Sequence, residues 1–264
     1  MSRVACLVPR DASLVTAPAI RIIGLTGLPE IRAGDDLAER IVAAAGRGPG
    51  LEAGDVVVVT QKVVSKAEGR LVALADVTPS PEAERLGREA EKDPRLAELI
   101  LRESVRIVRQ QGGVLITETR QGFVCANAGI DASNVGQGVV SLLPEDPDRS
   151  AAAIRSGIAE RTGIDVAVII SDTFGRPWRE GHTNVAVGIA GMTPFVDYVG
   201  QVDPHGYELR VSSLAVADEL AAAAELVMGK LSGVPVAIVR GYPYPPGCGT
   251  AREMVRPPER DLFR

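Results

Sequence analysis

Three runs of consecutive apolar residues constrain this chain more than anything else in it. Asp55–Thr60 reads Asp-Val-Val-Val-Val-Thr, Val166–Ile170 reads Val-Ala-Val-Ile-Ile, and Val234–Val239 reads Val-Pro-Val-Ala-Ile-Val. Successive residues of a strand face opposite sides, so a half-exposed strand alternates apolar and polar residues. These runs do not alternate. Each therefore reads as a strand buried on both faces, which requires covering layers on both sides of the sheet. Helical spacing supplies the candidates: Asp35–Ala45, Ser150–Thr162 closed by Gly163, and an alanine-rich Ser213–Met228 closed by Gly229. The expected fold class is mixed α/β.

Other segments fill in the outline. Arg21–Leu25 is a short β-branched run, and Pro81–Gln110 is charged and helical in period, with a break near Asp93-Pro94. Val114–Thr117 and Gly122–Ala126 read as strands separated by a turn at Glu118–Gln121. Residues 1–20 read as an opening strand or a loosely attached extension. Residues 21–264 read as one domain with room for two interleaved subdomains, because the connections are short and no linker marks a boundary.

Composition narrows the function. The 29 basic and 34 acidic residues leave a formal net charge of −5, so no diffuse basic field draws in nucleic acid or an anionic membrane. With four Phe, four Tyr and one Trp, stacking platforms for single strands are hard to assemble. Three widely spaced cysteines, Cys6, Cys125 and Cys248, suggest neither a zinc pattern nor a disulfide framework, and a reducing cytoplasm is the expected compartment. No apolar run reaches membrane-spanning length.

Three segments have residues suited to chemistry. Asp172 follows a buried strand in Ser171-Asp-Thr-Phe-Gly-Arg-Pro-Trp-Arg179, where Gly175 and Pro177 are expected to fix a loop. Asp172 and Thr173 offer oxygen ligands, and Arg176 and Arg179 offer guanidinium forks. The alternative is a capping Asp on a turn beside solvated arginines. The second segment, Cys125–Asn134, is rich in small residues and includes Asp131 and Asn134. It would let backbone approach a ligand closely, or it is an Asx-turn that orders a loop. In the third, Thr60–Arg70, Lys62, Lys66 and Arg70 recur at a spacing of four. They suit a phosphate chain, although by themselves they read more readily as a cationic helix face in water. Neither Gly-x-x-x-x-Gly-Lys-Ser/Thr nor Gly-x-Gly-x-x-Gly occurs. His182 and His205 read as polar loop residues, and Cys125 has no histidine nearby in sequence to make it a nucleophile.

Taken together, five ordered motifs carry a resemblance. They are Leu28-Pro-Glu-Ile-Arg-Ala-Gly-Asp-Asp, Val63-Val-Ser-Lys-Ala-Glu-Gly-Arg, Ala126-Asn-Ala-Gly-Ile-Asp-Ala-Ser-Asn, Ser171-Asp-Thr-Phe-Gly-Arg-Pro-Trp-Arg and Glu225-Leu-Val-Met-Gly-Lys. From about residue 21 to about residue 239 the chain resembles the coenzyme F420-0:L-glutamate ligase family. The resemblance implies a family-specific ligase fold that is not a P-loop, Rossmann or ATP-grasp fold. It also implies a homodimer that uses GTP, L-glutamate and the deazaflavin acceptor F420-0 and passes through an acyl phosphate. Mg²⁺ or Mn²⁺, as two ions, is implied, with K⁺ as a further candidate.

Residue by residue, the resemblance makes Asp131 and Asp172 metal carboxylates and Thr173 a further metal contact. It assigns Leu28, Pro29, Glu30, Ile31, Thr60, Gln61, Lys66 and Asn134 to the nucleotide, together with the loop Val227, Met228, Gly229, Lys230, Leu231, Ser232 and Gly233. Arg176 is expected to grip a carboxylate or phosphate in the reaction. Lys230 stands where the family can carry Gln or Glu, and a protonated ammonium cannot ligate a cation. The competing readings are a metal-dependent nucleotide phosphohydrolase and a nucleotide-binding module without turnover.

Overall fold

A computed structural model describes residues 18–262. Residues 1–17, most of the segment expected as an opening strand or extension, lie outside the described residues. Residues 18–20 form no regular element. In chain order the elements are β1 (Arg21–Leu25), α1 (Leu37–Gly46), β2 (Val56–Thr60), α2 (Gln61–Ala67), β3 (Leu71–Ala73), α3 (Pro81–Glu89), α4 (Pro94–Glu103), β4 (Ser104–Gln111), β5 (Val114–Thr119), β6 (Val124–Ala126), β7 (Val139–Ser141), α5 (Pro147–Thr162), β8 (Ala167–Arg176), β9 (Arg179–Ala190), β10 (Val196–Asp197), β11 (Ser213–Leu214), α6 (Val216–Met228) and β12 (Val236–Arg240). No described helix is long and apolar enough to cross a membrane.

The three apolar runs are neighbours in one five-stranded sheet of order β1-β12-β2-β8-β9. Only β2 and β8 are parallel; the other pairs are antiparallel. Alternate residues serve different layers. Val57, Val59, Val168 and Ile170 pack with Ile41 of α1 and Ile154 and Ile158 of α5. Val56, Val58, Ala167 and Ile169 pack on the other face with Leu220, Ala221 and Ala224 of α6. Val56 to Val59 are all fully buried, and each such side chain is worth roughly 1.5–3 kcal/mol relative to exposure. The helix starts are held locally: Asp36 accepts from the Glu39 amide at 2.9 Å and Asp146 from the Arg149 amide at 3.0 Å.

A third apolar cluster lies outside this sandwich. It joins α3 and α4 to the β4-β5-β6 and β3-β7 sheets through Leu86, Ile100, Leu115, Ile130 and Val140. Arg70 ties it to the chain leaving α2, donating to Glu103 at 2.7 Å and to the Leu143 carbonyl at 3.0 Å.

The structure corrects three boundaries. Helix α4 stops at Glu103, and residues 104–111 form β4 against β5. There Val105, Ile107 and Val108 favour a strand, and the Ser104 hydroxyl bonds back to the Ile100 carbonyl at 2.6 Å. The alanine-rich helix begins at Val216, because Ser213 and Leu214 pair with Asp197 and Val196. Asp172 does not follow its strand but lies within it. β8 continues to Arg176 as one arm of a long hairpin with β9, turning at Pro177 and Trp178. Paired backbone carries the chain where a loop was expected.

Candidate functional site

Parallel pairing of β2 with β8 sets Thr60 against Ser171. The residues that follow, Gln61 and Asp172, thus reach the same edge of the sheet. That is where parallel strands of α/β proteins present ligand-binding groups. β12 starts at this edge, the Thr60 amide donating to the Pro235 carbonyl at 2.9 Å, and so brings in the loop after α6. The 126–134 segment enters from the third cluster. Asp131 pairs with Ser141 of β7 through backbone bonds of 3.1 and 2.8 Å. These elements enclose a cleft of about 970 Å³.

Many of the expected site residues line this one cleft: Leu28, Pro29, Glu30, Ile31, Thr60, Gln61, Lys66, Asp131, Asn134, Asp172, Thr173, Gly229, Lys230, Leu231 and Gly233. The others lie elsewhere. Arg176 is at the exposed hairpin end, where its guanidinium donates to the Glu180 carbonyl at 2.6 Å. Met228 is fully buried against the sheet, and the Ser232 hydroxyl turns back onto the Met228 carbonyl. Val227 is not part of the cleft wall.

Further polar groups in the wall include Lys62, which the sequence offered to phosphate or to water, and Ser133, Asn184 and Glu225, which it did not single out. Lys62 Nζ donates to Asp131 Oδ2, the Ser133 carbonyl and Ser133 Oγ, each at 2.6 Å. Asn184 is buried, accepting from Thr173 Oγ1 at 2.7 Å and donating to Glu225 Oε2 at 2.8 Å. Lys230 Nζ bonds Thr173 Oγ1 and lies 3.9 Å from Glu225 Oε1. Lys66, itself buried, meets Glu30 at 2.5 Å. His182, expected as a loop residue, lies on β9 and also faces the cleft. The clue to Lys62 was its position one helical turn before Lys66. Nothing local in the sequence marks Asn184.

The electrostatics follow from this packing. Burial pushes the Asp172 carboxyl up to about 7. The charge of Asp131 adds to that rise, while the Thr173 amide, Lys230 and Lys62 oppose it. Burial also acts against ionisation of Asp131, but bonds from Lys62 and Ser133 more than reverse this and hold it below the ordinary carboxylate value. Burial pushes the Cys125 thiol up to about 12, with the Asp172 charge adding to the effect, so it is a poor nucleophile.

The donor set suits a hard cation. Two carboxylates and a hydroxyl supply only oxygen, the Asp131 charge acts on Asp172, and ammonium groups sit on Asp131 and Thr173. Among the described residues, no three His, Cys, Asp or Glu gather to hold a metal by themselves. Mg²⁺ in particular is commonly held by one or two carboxylates and completed by water and substrate phosphates.

Comparison with known proteins agrees over nearly the whole chain. Residues 26–241 match the family described as F420-0:gamma-glutamyl ligase. The coenzyme F420:L-glutamate ligase of Methanothermobacter thermautotrophicus is 49% identical over 249 residues, 93% of this chain and 99% of the relative. That of Methanopyrus kandleri is 47% identical over 252 residues, 94% of this chain and 98% of the relative. That of Methanocaldococcus jannaschii is 41% identical over 248 residues, 93% of this chain and 97% of the relative. The chain belongs to the F420-0:gamma-glutamyl ligase family.

Proposed function

We propose that this chain joins L-glutamate to coenzyme F420-0 through a γ-linked amide bond, using GTP to activate the acceptor. Besides family membership, one observation carries this reading: acidic oxygens and ammonium groups from five distant segments converge on a single cleft at the end of the parallel strand pair. A carboxylate is a poor electrophile, so amide formation requires activation. The acceptor's terminal carboxylate attacks the γ-phosphorus of GTP, GDP leaves, and an acyl phosphate forms. The amino group of glutamate then attacks the acyl carbon, phosphate departs, and the nitrogen loses a proton.

In this reading Asp131, Asp172 and Thr173 hold Mg²⁺ or Mn²⁺, which when bound neutralises charge on the triphosphate. Lys66 and Lys230 add point positive charges for phosphate oxygens, and Leu28 to Ile31, Gln61 and Asn134 shape the nucleotide's surroundings. Lys66 leaves Glu30 for phosphate when the nucleotide enters. We read the working form as a homodimer. Leu226, exposed just before the nucleotide loop, supports that reading.

A dropout assay tests the reaction. GDP and a product heavier than the acceptor by one glutamyl residue should accumulate, by mass spectrometry, only when GTP, glutamate and F420-0 are all present. Steady GTP hydrolysis without acceptor would replace this reading with a phosphohydrolase. Nucleotide binding without turnover in the complete mixture would replace it with a binding module.

A further inference from the structure

Lys62 uses all of its donor capacity in the cleft. It stands in the first turn of α2, at the end of β2, and reaches across to the 131–133 segment of the other cluster. Its three bonds go to one carboxylate oxygen and two oxygens of Ser133, and an ammonium has three protons to give. Ser133 in turn donates to both Asp131 oxygens, through its amide at 2.7 Å and its hydroxyl at 2.8 Å. Asp131 is thereby occupied on both oxygens. Elsewhere in the cleft Lys230 occupies the Thr173 hydroxyl, whose own proton goes to Asn184.

We propose that Lys62 and Lys230 are tethered counter-ions that keep Asp131 and Thr173 closed to a bare divalent cation. The triphosphate opens the site by drawing both ammonium groups onto its own oxygens. This rests on the GTP-ligase reading given above. A divalent cation approaching Asp131 alone must displace a charge-assisted hydrogen bond and then remain beside a like charge. A triphosphate offers the lysines several anionic oxygens, which leaves the carboxylate free and places negative charge beside the incoming cation. Cation and nucleotide therefore enter as a pair, and neither the metal nor the nucleotide is held well alone. The asymmetry resides in Lys62, which caps a carboxylate, more than in Lys230, which caps a neutral hydroxyl.

The test is direct Mn²⁺ binding to the full chain, read from the electron paramagnetic resonance of free Mn²⁺, with and without a non-hydrolysable GTP analogue. Wild type should bind Mn²⁺ at least tenfold more tightly when the analogue is present. Lys62→Met should bind Mn²⁺ alone about tenfold more tightly than wild type and lose most of the dependence on nucleotide. Lys230→Gln should move in the same direction by a smaller factor. Lys62→Gln, which keeps a donor for Ser133, carries the same expectation and serves if Lys62→Met does not fold. Mn²⁺ affinity unchanged or weakened in a folded Lys62 variant would overturn the counter-ion role while leaving the ligase reading intact. Equal Mn²⁺ affinity of wild type with and without analogue would overturn the paired entry. Failure of the analogue to bind wild type in calorimetry, with Mn²⁺ present, would instead overturn the nucleotide reading on which the opening step depends.

Discussion

Replacing Gly129 with alanine tests how the fold delivers Asp131 to the cleft. Gly129 has φ +69 and lies two residues before Asp131, in a left-handed turn with Asn127 at φ 52 and Ala128 at φ 55. A Cβ built at Gly129 would stand 2.8 Å from both Cγ and Cδ1 of Leu143 and 3.0 Å from Cδ2. Real Cβ atoms do not approach carbon so closely, and Leu143 is only 1% exposed, so it has little room to withdraw. Two costs therefore add. The left-handed conformation costs a residue with a Cβ roughly 1–2 kcal/mol, and overpacking a well-filled core costs typically about 1–3 kcal/mol. The expected loss is roughly 2–5 kcal/mol, which at about 2–4 °C per kcal/mol for a chain of this size lowers Tm by roughly 4–20 °C. Denaturant unfolding of Gly129→Ala measures it. Leu143→Ala alone should cost about 2–5 kcal/mol through its cavity. In the double variant the new methyl fills part of that cavity, so the combined loss should fall short of the sum by more than about 0.5 kcal/mol. A Gly129→Ala loss below about 0.5 kcal/mol, or strict additivity with Leu143→Ala, would show that Leu143 does not confine this glycine.

Other outcomes follow from the same geometry. Asp172→Asn is expected to leave thermal unfolding within a few degrees of wild type and to abolish metal-dependent product formation; retained turnover would remove Asp172 from the reaction. Lys66→Ala should weaken GTP binding at least tenfold in calorimetry, because it deletes a buried ammonium facing the cleft, and unaltered binding would count against its phosphate role. Cys125, buried and with its thiol pushed up to about 12, should resist iodoacetamide in the folded protein, while exposed Cys248 is alkylated, as peptide mass spectrometry can read. Asp55 is 1% exposed and receives two bonds from Arg240, at 2.8 and 2.7 Å; Asp55→Ala leaves that guanidinium with Glu52 and the Gly50 carbonyl alone and should cost about 1–3 kcal/mol in chemical denaturation.

Much of the scaffold was legible in the sequence because its signals are local or repetitive. Four consecutive valines admit no exposed face, so Val56–Val59 announce a doubly covered strand before any partner is known. The acidic pair Asp35-Asp36 announces a helix start, and Asp36 reaches the amide three residues on; α5, expected from Ser150, begins instead at Pro147 behind the cap of Asp146. Residues 104–111 misled because the helical charge pattern of Pro81–Glu103 runs into them. The switch to strand depends on pairing with β5, a contact between segments that a periodicity window does not contain. The same limit hid the true setting of Asp172. Gly175 and Pro177 look like a loop, yet β9 supplies backbone partners that extend the strand to Arg176.

For the cleft, the residue types of each segment could be read along the chain, and the ordered motifs pointed to their shared family. The sequence did not determine which ammonium meets which carboxylate. Lys62 and Lys66 are one helical turn apart on α2 and look alike in sequence, but only the folded chain brings the 131–133 segment to one and Glu30 to the other. Arg176 shows the converse: its motif is local and well formed, while the hairpin carries it out to solvent. Hydrogen bonds and desolvation depend on the close approach of groups such as Lys62 and Asp131, 69 positions apart in sequence. Such distances are set by the packing of the sheet, α2 and the third cluster together, so only the tertiary structure could decide them.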